Sequence, residues 1–234
     1  MVHCEQKFII FVKRILTDHW YVIIMESFYQ LLSNDIRFQE GLKACISCGT
    51  CTAICPAAQV SDYDPRMLVE MVQTRNEEVL LELLNGDAIW RCGECLSCKT
   101  RCPRGNTPGH IIQALRALSI KTGLFADSKQ GNLQLEIKRT VGEHILKYGY
   151  CVHIDEIDTG KYPEQGPVWE WFRENRESLL ARLGANYNHE GAGTLRKISN
   201  RSLEDLQAIF IETGAMERFQ QIESGSAKQA KDEK

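Results

Sequence analysis

The sequence predicts a mainly α-helical protein organised around two cysteine runs near its middle. Eight of the ten cysteines fall in these runs, and each run has the spacing C-x2-C-x2-C-x3-C-P. The segment between the runs, residues 56–91, carries apolar residues at helical spacing and no alternating strand pattern. Proline just inside predicted helix starts and glycine just past helix ends recur along the rest of the chain.

The cysteine spacing is that of bacterial-type ferredoxin ligands and predicts two 4Fe–4S clusters. Three thiolates that are two residues apart can surround one cubane, and Gly49 and Gly93 are expected to let the backbone turn tightly around it. Pro56 and Pro103 then direct the chain away. The predicted ligands are Cys45, Cys48, Cys51 and Cys55 in the first run and Cys92, Cys95, Cys98 and Cys102 in the second.

The pairing of the two runs follows from the ferredoxin pattern. In two-cluster ferredoxins the fourth cysteine of a run ligates the other cluster. Carried over to this sequence, the pattern implies two mixed ligand sets. The first cluster would be held by Cys45, Cys48, Cys51 and Cys102, and the second by Cys92, Cys95, Cys98 and Cys55.

Other uses of cysteine fit this spacing less well. A structural zinc site takes about four ligands from C-x2-4-C pairs or Cys/His mixtures, with no role for a triple C-x2-C-x2-C followed by C-P. A disulfide framework is typical of small secreted chains. Cys4 and Cys151 have no ligand-like neighbours and are interpreted as ordinary thiols.

The segment between the runs predicts two helices. Asp64-Pro65 is a cap followed by proline and opens a helix through Leu68 and Val72. A second helix with Leu80 and Leu84 on its apolar face ends at Asn85-Gly86. Small ferredoxins built on β-hairpins lack such an insert, so we expect an α-helical ferredoxin-like dicluster module.

Helices also follow the second run. Thr107-Pro108 predicts a helix that ends near Gly123, and a further helix ends at Gly149. After a loop over 150–168, Pro167 opens a helix that ends at Gly184, and Ser202 with Asp205 begins one that ends at Gly214. The predicted domains are an N-terminal extension (1–34), the dicluster domain (35–125), a helical C-terminal region (126–223) and a disordered tail (224–234).

The N-terminal residues 1–40 are the least regular part of the chain. They suit a packing extension or an amphipathic helix for a partner or a membrane surface, and Met25 is an alternative start. Their apolar stretches fall short of the roughly 18–20 residues needed to cross a bilayer. A net charge of −3 argues against a broad basic surface for nucleic acid. We expect a soluble, cytoplasmic protein with peripheral membrane contact at most.

The motifs present and absent in the rest of the sequence indicate an electron carrier rather than a catalyst. The sequence contains no dinucleotide fingerprint, P-loop, H-E-x-x-H motif or nucleophile elbow, and its six histidines are scattered singly. Every predicted ligand is a cysteine, so we expect no substrate site on this chain. Lys99, Arg101 and Arg104 flank the second run and would either favour the reduced cluster or remain solvated.

Three stretches carry a family resemblance: residues 48–56, Trp90-Arg91-Cys92 and residues 101–105. Over about residues 35–125 the chain resembles the iron–sulfur C subunit of heterodisulfide reductases and its bacterial homologues. This resemblance implies a relay of electrons between a flavin-containing protein like the A subunit of those enzymes and a catalytic, CCG-domain protein like their B subunit. Trp169, Trp171 and Phe172 are candidates for contacts with such partners or for the core.

Two alternatives remain open. The same helical module resembles the cluster domain of the iron–sulfur subunits of succinate, fumarate and glycolate-type dehydrogenases, which feed quinone. The chain lacks the C-x4-C-x2-C run of a complete succinate dehydrogenase iron–sulfur protein. The other alternative is a sensor or scaffold whose clusters are structural. The chain also lacks CCG repeats, so disulfide chemistry has no predicted site here.

Overall fold

The computed structural model describes residues 27–163 and 166–232, with side chains described as far as Glu223. These residues form α-helices joined by turns and short 3₁₀ segments, and no strand occurs among them, so the predicted fold class is confirmed. The predicted N-terminal amphipathic segment and the alternative start at Met25 lie outside the described residues. The helices are α1 Phe28–Ser33, α2 Ile36–Gly41, α3 Thr50–Ala53, α4 Pro56–Val60, α5 Pro65–Gln73, α6 Glu77–Asn85, α7 Pro108–Thr122, α8 Lys129–Tyr148, α9 Gly166–Glu174, α10 Arg176–Arg182, α11 Asn200–Glu212 and α12 Ala215–Asp232.

The chain divides into two compact units. The first comprises the residues up to Asn132 together with Gly225–Lys234, and the second comprises Leu133–Ser224. Both cysteine runs lie in the first unit. The boundary falls inside α8, seven residues beyond the predicted end of the dicluster domain at residue 125.

Helix α7 is the centre of the first unit and packs against α1, α2, α5 and α6. Its length and its buried face explain this position, because Ile111, Ile112 and Leu115 are fully or almost fully buried. The helix begins at Pro108 and ends at Gly123 as predicted, and Gly123 adopts a left-handed conformation with φ 74°. Thr107 is the residue before the helix as predicted, but its side chain makes no capping hydrogen bond. Its N–H donates to the Gly41 carbonyl at 2.8 Å.

The helices between the runs are confirmed with their predicted ends. The Asp64 carboxylate accepts hydrogen bonds from the N–H groups of Arg66 and Met67 and caps α5. Helix α6 ends at Asn85, directly before Gly86. The carboxylate of Glu77, in the first turn of α6, accepts the Phe28 N–H at 2.7 Å. This bond ties residues 27–33, part of the predicted extension, to the first unit.

The chain after α8 differs from the sequence prediction at three places. The single helix predicted from Pro167 to Gly184 is two helices, α9 and α10, broken at Asn175, whose side-chain amide donates to the Trp171 carbonyl at 2.8 Å. Helix α11 begins earlier than predicted because Ser199, not Ser202, is its cap. Helix α12 runs to Asp232, so residues 224–232 of the predicted tail are helical, in keeping with their content of Ala, Lys and Gln.

A small apolar cluster forms the core of the second unit. Ile154, Ile157 and Leu180 are buried in it, and Phe172 packs against them, which favours the core interpretation of that residue. Trp169 and Trp171 are instead 44% and 54% exposed. None of the helices that the structure describes combines the length and apolarity that a membrane span requires.

Replacement of Leu115 by alanine should destabilise the first unit. Leu115 has no exposed surface in the centre of α7, so the truncation removes apolar contacts and leaves a cavity. Losses of about 2–5 kcal/mol are typical for such sites. Denaturant unfolding under anaerobic conditions measures the change, with Val60→Ala as control because Val60 is 86% exposed. Equal stability of the two variants would contradict the central role of α7.

Candidate cluster-binding site

The first cysteine run follows α2 as a loop and then enters α3. Ser47 and Gly49 have positive φ values of 57° and 76°, and Gly49 is the residue that precedes α3. The predicted role of Gly49 in a tight turn is therefore confirmed. Cys51 lies within α3, and Cys55 precedes Pro56 at the start of α4.

The second run repeats this backbone pattern with different residues. Glu94 and Leu96 occupy the positions equivalent to Ser47 and Gly49, with φ values of 53° and 58°. The predicted role of Gly93 in the turn is wrong, because Gly93 is not among the residues with positive φ. Non-glycine residues in this conformation are uncommon and strained. The loop is therefore held in this conformation by its surroundings.

Both runs donate the same hydrogen bonds to sulfur. The N–H groups of Ser47 and Glu94 each lie 3.4 Å from the Sγ atom two residues earlier, in Cys45 and Cys92. In each run a hydroxyl also lies 3.4 Å from the second cysteine. Thr50 Oγ1 lies beside Cys48, and Ser97 Oγ lies beside Cys95. Each loop thus offers an N–H donor to one sulfur and places beside another sulfur a hydroxyl that can donate once that sulfur is a thiolate.

One cavity collects thiols from both runs. Cys102 of the second run lines it together with three cysteines of the first, Cys45, Cys48 and Cys51. These are the four residues expected to hold the first cluster. Arg66 and Arg104 also line this cavity, and both provide positive charge for an anionic group.

Asn106 fixes the surroundings of Cys102. Its backbone N–H lies 3.3 Å and its side-chain Nδ2 3.7 Å from the Cys102 sulfur, and the residue is 2% exposed. Its side-chain oxygen accepts the Lys43 N–H at 2.6 Å, which orients the amide so that Nδ2 faces sulfur. Sequence reasoning missed this residue.

The second group of thiols lies near the start of α7. Burial raises the pKa of Cys98, and the charges of Cys92 and Cys95 raise it further, so these three thiols are neighbours. The N–H of Gly109 donates to the Cys98 sulfur. A Cβ atom at Gly109 would lie 2.8 Å from a methyl carbon of Leu96, so a larger residue here would displace the Leu96 side chain.

Tyr63 links this group to Cys55. The residue is 4% exposed. Burial raises the pKa of Tyr63 above its ordinary value, and the negative charges of Cys92 and then Cys55 raise it further. A thiol of each run therefore lies near enough to the phenol for its charge to act on it. This is the second pairing of the two runs that the ferredoxin pattern implies.

Arg116 of α7 holds the loop of the second cysteine run in place. Its guanidinium donates to the carbonyl oxygens of Ile89 and Cys92, both at 2.7 Å, and forms an ion pair with Glu94. The residue is 4% exposed. These bonds hold the strained Glu94 backbone in place. No motif in the sequence marks Arg116, because its partners lie more than twenty residues away along the chain.

Exposure separates the thiols into two kinds. Cys48 and Cys95 are exposed, and hydrogen bonds from Thr50 and Ser97 lower the pKa of these thiols. Cys51 and Cys98 are partly buried, and burial raises their pKa. Of the predicted cations near the second run, Lys99, Arg101 and Arg104 are all exposed, and Arg104 alone lines the first cavity.

The residues present fit an iron–sulfur centre. No compact set of three or more His, Cys, Asp and Glu side chains suited to a metal ion occurs within the part of the chain that the structure describes. The two loops instead present thiol sulfur with hydrogen-bond donors directed at it. Sulfur ligands in such surroundings suit thiolate-bound clusters. The buried Tyr63 hydroxyl, which has no hydrogen-bond partner among the described residues, indicates a missing acceptor beside Cys92.

Comparison with known proteins agrees with this chemistry. Residues 41–106 match the 4Fe-4S dicluster domain family. The chain is 33% identical over 184 residues to the C subunit of the ferredoxin:CoB-CoM heterodisulfide reductase of Methanosarcina acetivorans, covering 79% of this chain and 67% of that relative. It is 30% identical over 138 residues to the protein of the same name from Methanosarcina mazei, covering 58% of this chain and 78% of that relative. The iron-sulfur C subunit of the CoB--CoM heterodisulfide reductase of Methanopyrus kandleri is 32% identical over 117 residues, which cover 50% of this chain and 55% of that relative.

Replacement of Arg116 by glutamine should loosen the second loop. The variant removes the ion pair to Glu94 and leaves the Cys92 carbonyl without its charged donor. We expect a lower melting temperature and a fall in iron from about eight to about four per chain, because two cubane clusters contain about eight irons. Lys121→Gln, an exposed position in the same helix, is the control. Full iron and an unchanged melting temperature in Arg116→Gln would contradict the bracing role.

Proposed function

The chain belongs to the family of heterodisulfide reductase iron–sulfur C subunits, and we propose on this premise that it carries electrons between two partner proteins. One partner is a flavin-containing protein like the A subunit, and the other is a catalytic protein with CCG domains, like the B subunit. A cytoplasmic location is part of the proposal, because reducing compartments preserve such clusters. The match to a named C subunit over 79% of this chain supports this function more than the dehydrogenase or sensor alternatives.

The shared cavity is the observation that carries the proposal. Thiols from both cysteine runs line it, which supports Cys45, Cys48, Cys51 and Cys102 as one ligand set. Besides burial, the charges of Cys92 and Cys55 both raise the Tyr63 pKa, and those of Cys92 and Cys95 raise that of Cys98, which supports Cys55, Cys92, Cys95 and Cys98 as the other. When bound, each cluster supplies reversible one-electron transfer.

The chain's own residues set the conditions for that transfer. Asn106 donates N–H groups to the Cys102 sulfur, and the hydroxyls of Thr50 and Ser97 lie beside Cys48 and Cys95, where each can donate to a thiolate and favour added negative charge. The core around α7 keeps water from one side of each site, since Cys51 and Cys98 are partly buried there.

The opposite side of each site faces solvent. Cys48 and Cys95 are exposed, and each belongs to a different ligand set. Two exposed sulfurs offer two places at which partner proteins approach, one for entry and one for exit of electrons. Ile46 and Met67, which are 58% and 51% exposed, flank the first run and provide apolar surface for such a contact.

Anaerobic purification of the chain from its native host tests the relay. We expect about eight irons per chain, two reducible cubane signals in EPR titration, and co-purification of a flavoprotein with a CCG-repeat protein. Co-purification with a quinone-linked dehydrogenase would favour the alternative function, that of an iron–sulfur subunit that feeds quinone. Clusters that stay oxidised throughout the titration of the intact protein would refute electron transfer.

Replacement of Cys102 by serine tests the mixed ligand sets. Because Cys102 shares a cavity with Cys45, Cys48 and Cys51, we expect the cluster of the first run to be perturbed. Cys48→Ser and Cys95→Ser identify the EPR signal of each cluster. Cys151→Ser is the control, since this exposed thiol lies outside both runs. Damage confined to the cluster that Cys95 holds would contradict the assignment.

A further inference from the structure

The hydroxyl of Tyr63 is buried without a hydrogen-bond partner among the described residues. Only 4% of the residue is exposed, so water does not supply the missing acceptor. A phenol O–H left unpaired inside a protein costs free energy, and natural structures rarely keep one without a reason. The proposed ligand sets do not use Tyr63, so its place in the site needs a separate explanation.

The segment around Tyr63 is anchored on both sides. Asp62 forms an ion pair with Arg91, the residue directly before Cys92. Asp64 accepts the Thr52 hydroxyl at 2.5 Å and caps α5. These contacts tie the segment to both cysteine runs, because Thr52 follows Cys51 and Arg91 precedes Cys92. The phenol is therefore held at the site by its neighbours.

Sulfur from both runs lies near the hydroxyl. Besides burial, the charge of Cys92, the capacity of its sulfur to accept a hydrogen bond and the charge of Cys55 all raise the Tyr63 pKa, and both cysteines belong to the second proposed ligand set. In the first proposed ligand set the donor to sulfur is a different residue, because Cys102 accepts hydrogen bonds from Asn106. At the equivalent offset of eight residues after Cys102 the chain carries His110 in place of a tyrosine.

We propose that the Tyr63 hydroxyl donates a hydrogen bond to sulfur of the cluster held by Cys55, Cys92, Cys95 and Cys98 and makes its reduction potential more positive. The inference rests on the proposed ligand set. Reduction adds one electron to the cluster, no bond breaks, and the proton remains on the tyrosine oxygen. A donor that stays in place stabilises the more negative, reduced form more than the oxidised form.

The variant Tyr63→Phe in the full chain, purified anaerobically, tests the hydrogen bond. We expect iron to remain at about eight per chain and one midpoint potential in EPR titration to become more negative. The expected change in the reduction equilibrium is about tenfold, which is about 59 mV for a one-electron couple. The other midpoint potential should not move. Tyr29→Phe is the control, because its ring packs on Phe38 in the same unit and it lies outside both cysteine runs.

A second substitution keeps the test decisive if Tyr63→Phe loses iron. Incorporation of 3-fluorotyrosine at position 63 preserves the ring and the hydroxyl and makes the hydroxyl a stronger donor. We expect the same midpoint potential to become more positive. A potential that does not move in the fluorinated protein, or in an iron-replete Tyr63→Phe variant, would overturn the proposal.

Failure of the ligand set gives a different result from failure of the hydrogen bond. Cys95→Ser identifies the EPR signal of the second cluster, and both Cys92→Ser and Tyr63→Phe should act on that signal. If Cys92→Ser perturbs the other signal, the proposed ligand set is wrong. If Cys92→Ser perturbs the expected signal and Tyr63→Phe shifts only the other one, the ligand set stands and the role given to Tyr63 is wrong.

Discussion

The presence of eight cysteine thiols in the two loops of the first unit is the constraint on which the rest of the structure depends. Like charges repel, and each sulfur that leaves water needs hydrogen-bond donors or cations in return. Helix α7 meets much of this need, because Gly109 in its first turn donates to Cys98 and Arg116, further along the helix, braces the Cys92 loop. The helices around α7 therefore position hydrogen-bond donors near sulfur and also form an apolar core.

The two cysteine runs are alike in backbone and different in their surroundings. Both place positive φ values and sulfur-directed N–H groups at equivalent positions, with Ser47 matching Glu94. Outside the loops the two runs differ. Asn106 donates to the sulfur of Cys102, whereas Tyr63 lies near Cys92. A duplicated motif thus yields two loops with different electrostatic environments, so two clusters bound there would differ in reduction potential.

Local signals predicted the elements that depend on neighbouring residues. Asp64-Pro65, Asn85-Gly86 and Gly123 mark real helix ends, and the cysteine spacing marked the thiols that the fold gathers. Contacts between distant residues left no such signal. The partners of Arg116 lie more than twenty residues away, as does Cys92 from Tyr63, and the break at Asn175 depends on a side-chain hydrogen bond that periodicity does not register.

The cavity lined by Cys45 and Cys102 has a consequence for how the protein is made. Its four thiols lie at both ends of the segment 45–102, so neither cysteine run completes a site alone. Assembly machinery that delivers iron and sulfide must therefore wait until the ribosome has released the whole segment and α7 has docked. A chain truncated before Cys102 would emerge with seven of the eight run cysteines, an incomplete first ligand set, and reactive sulfur exposed to oxidants.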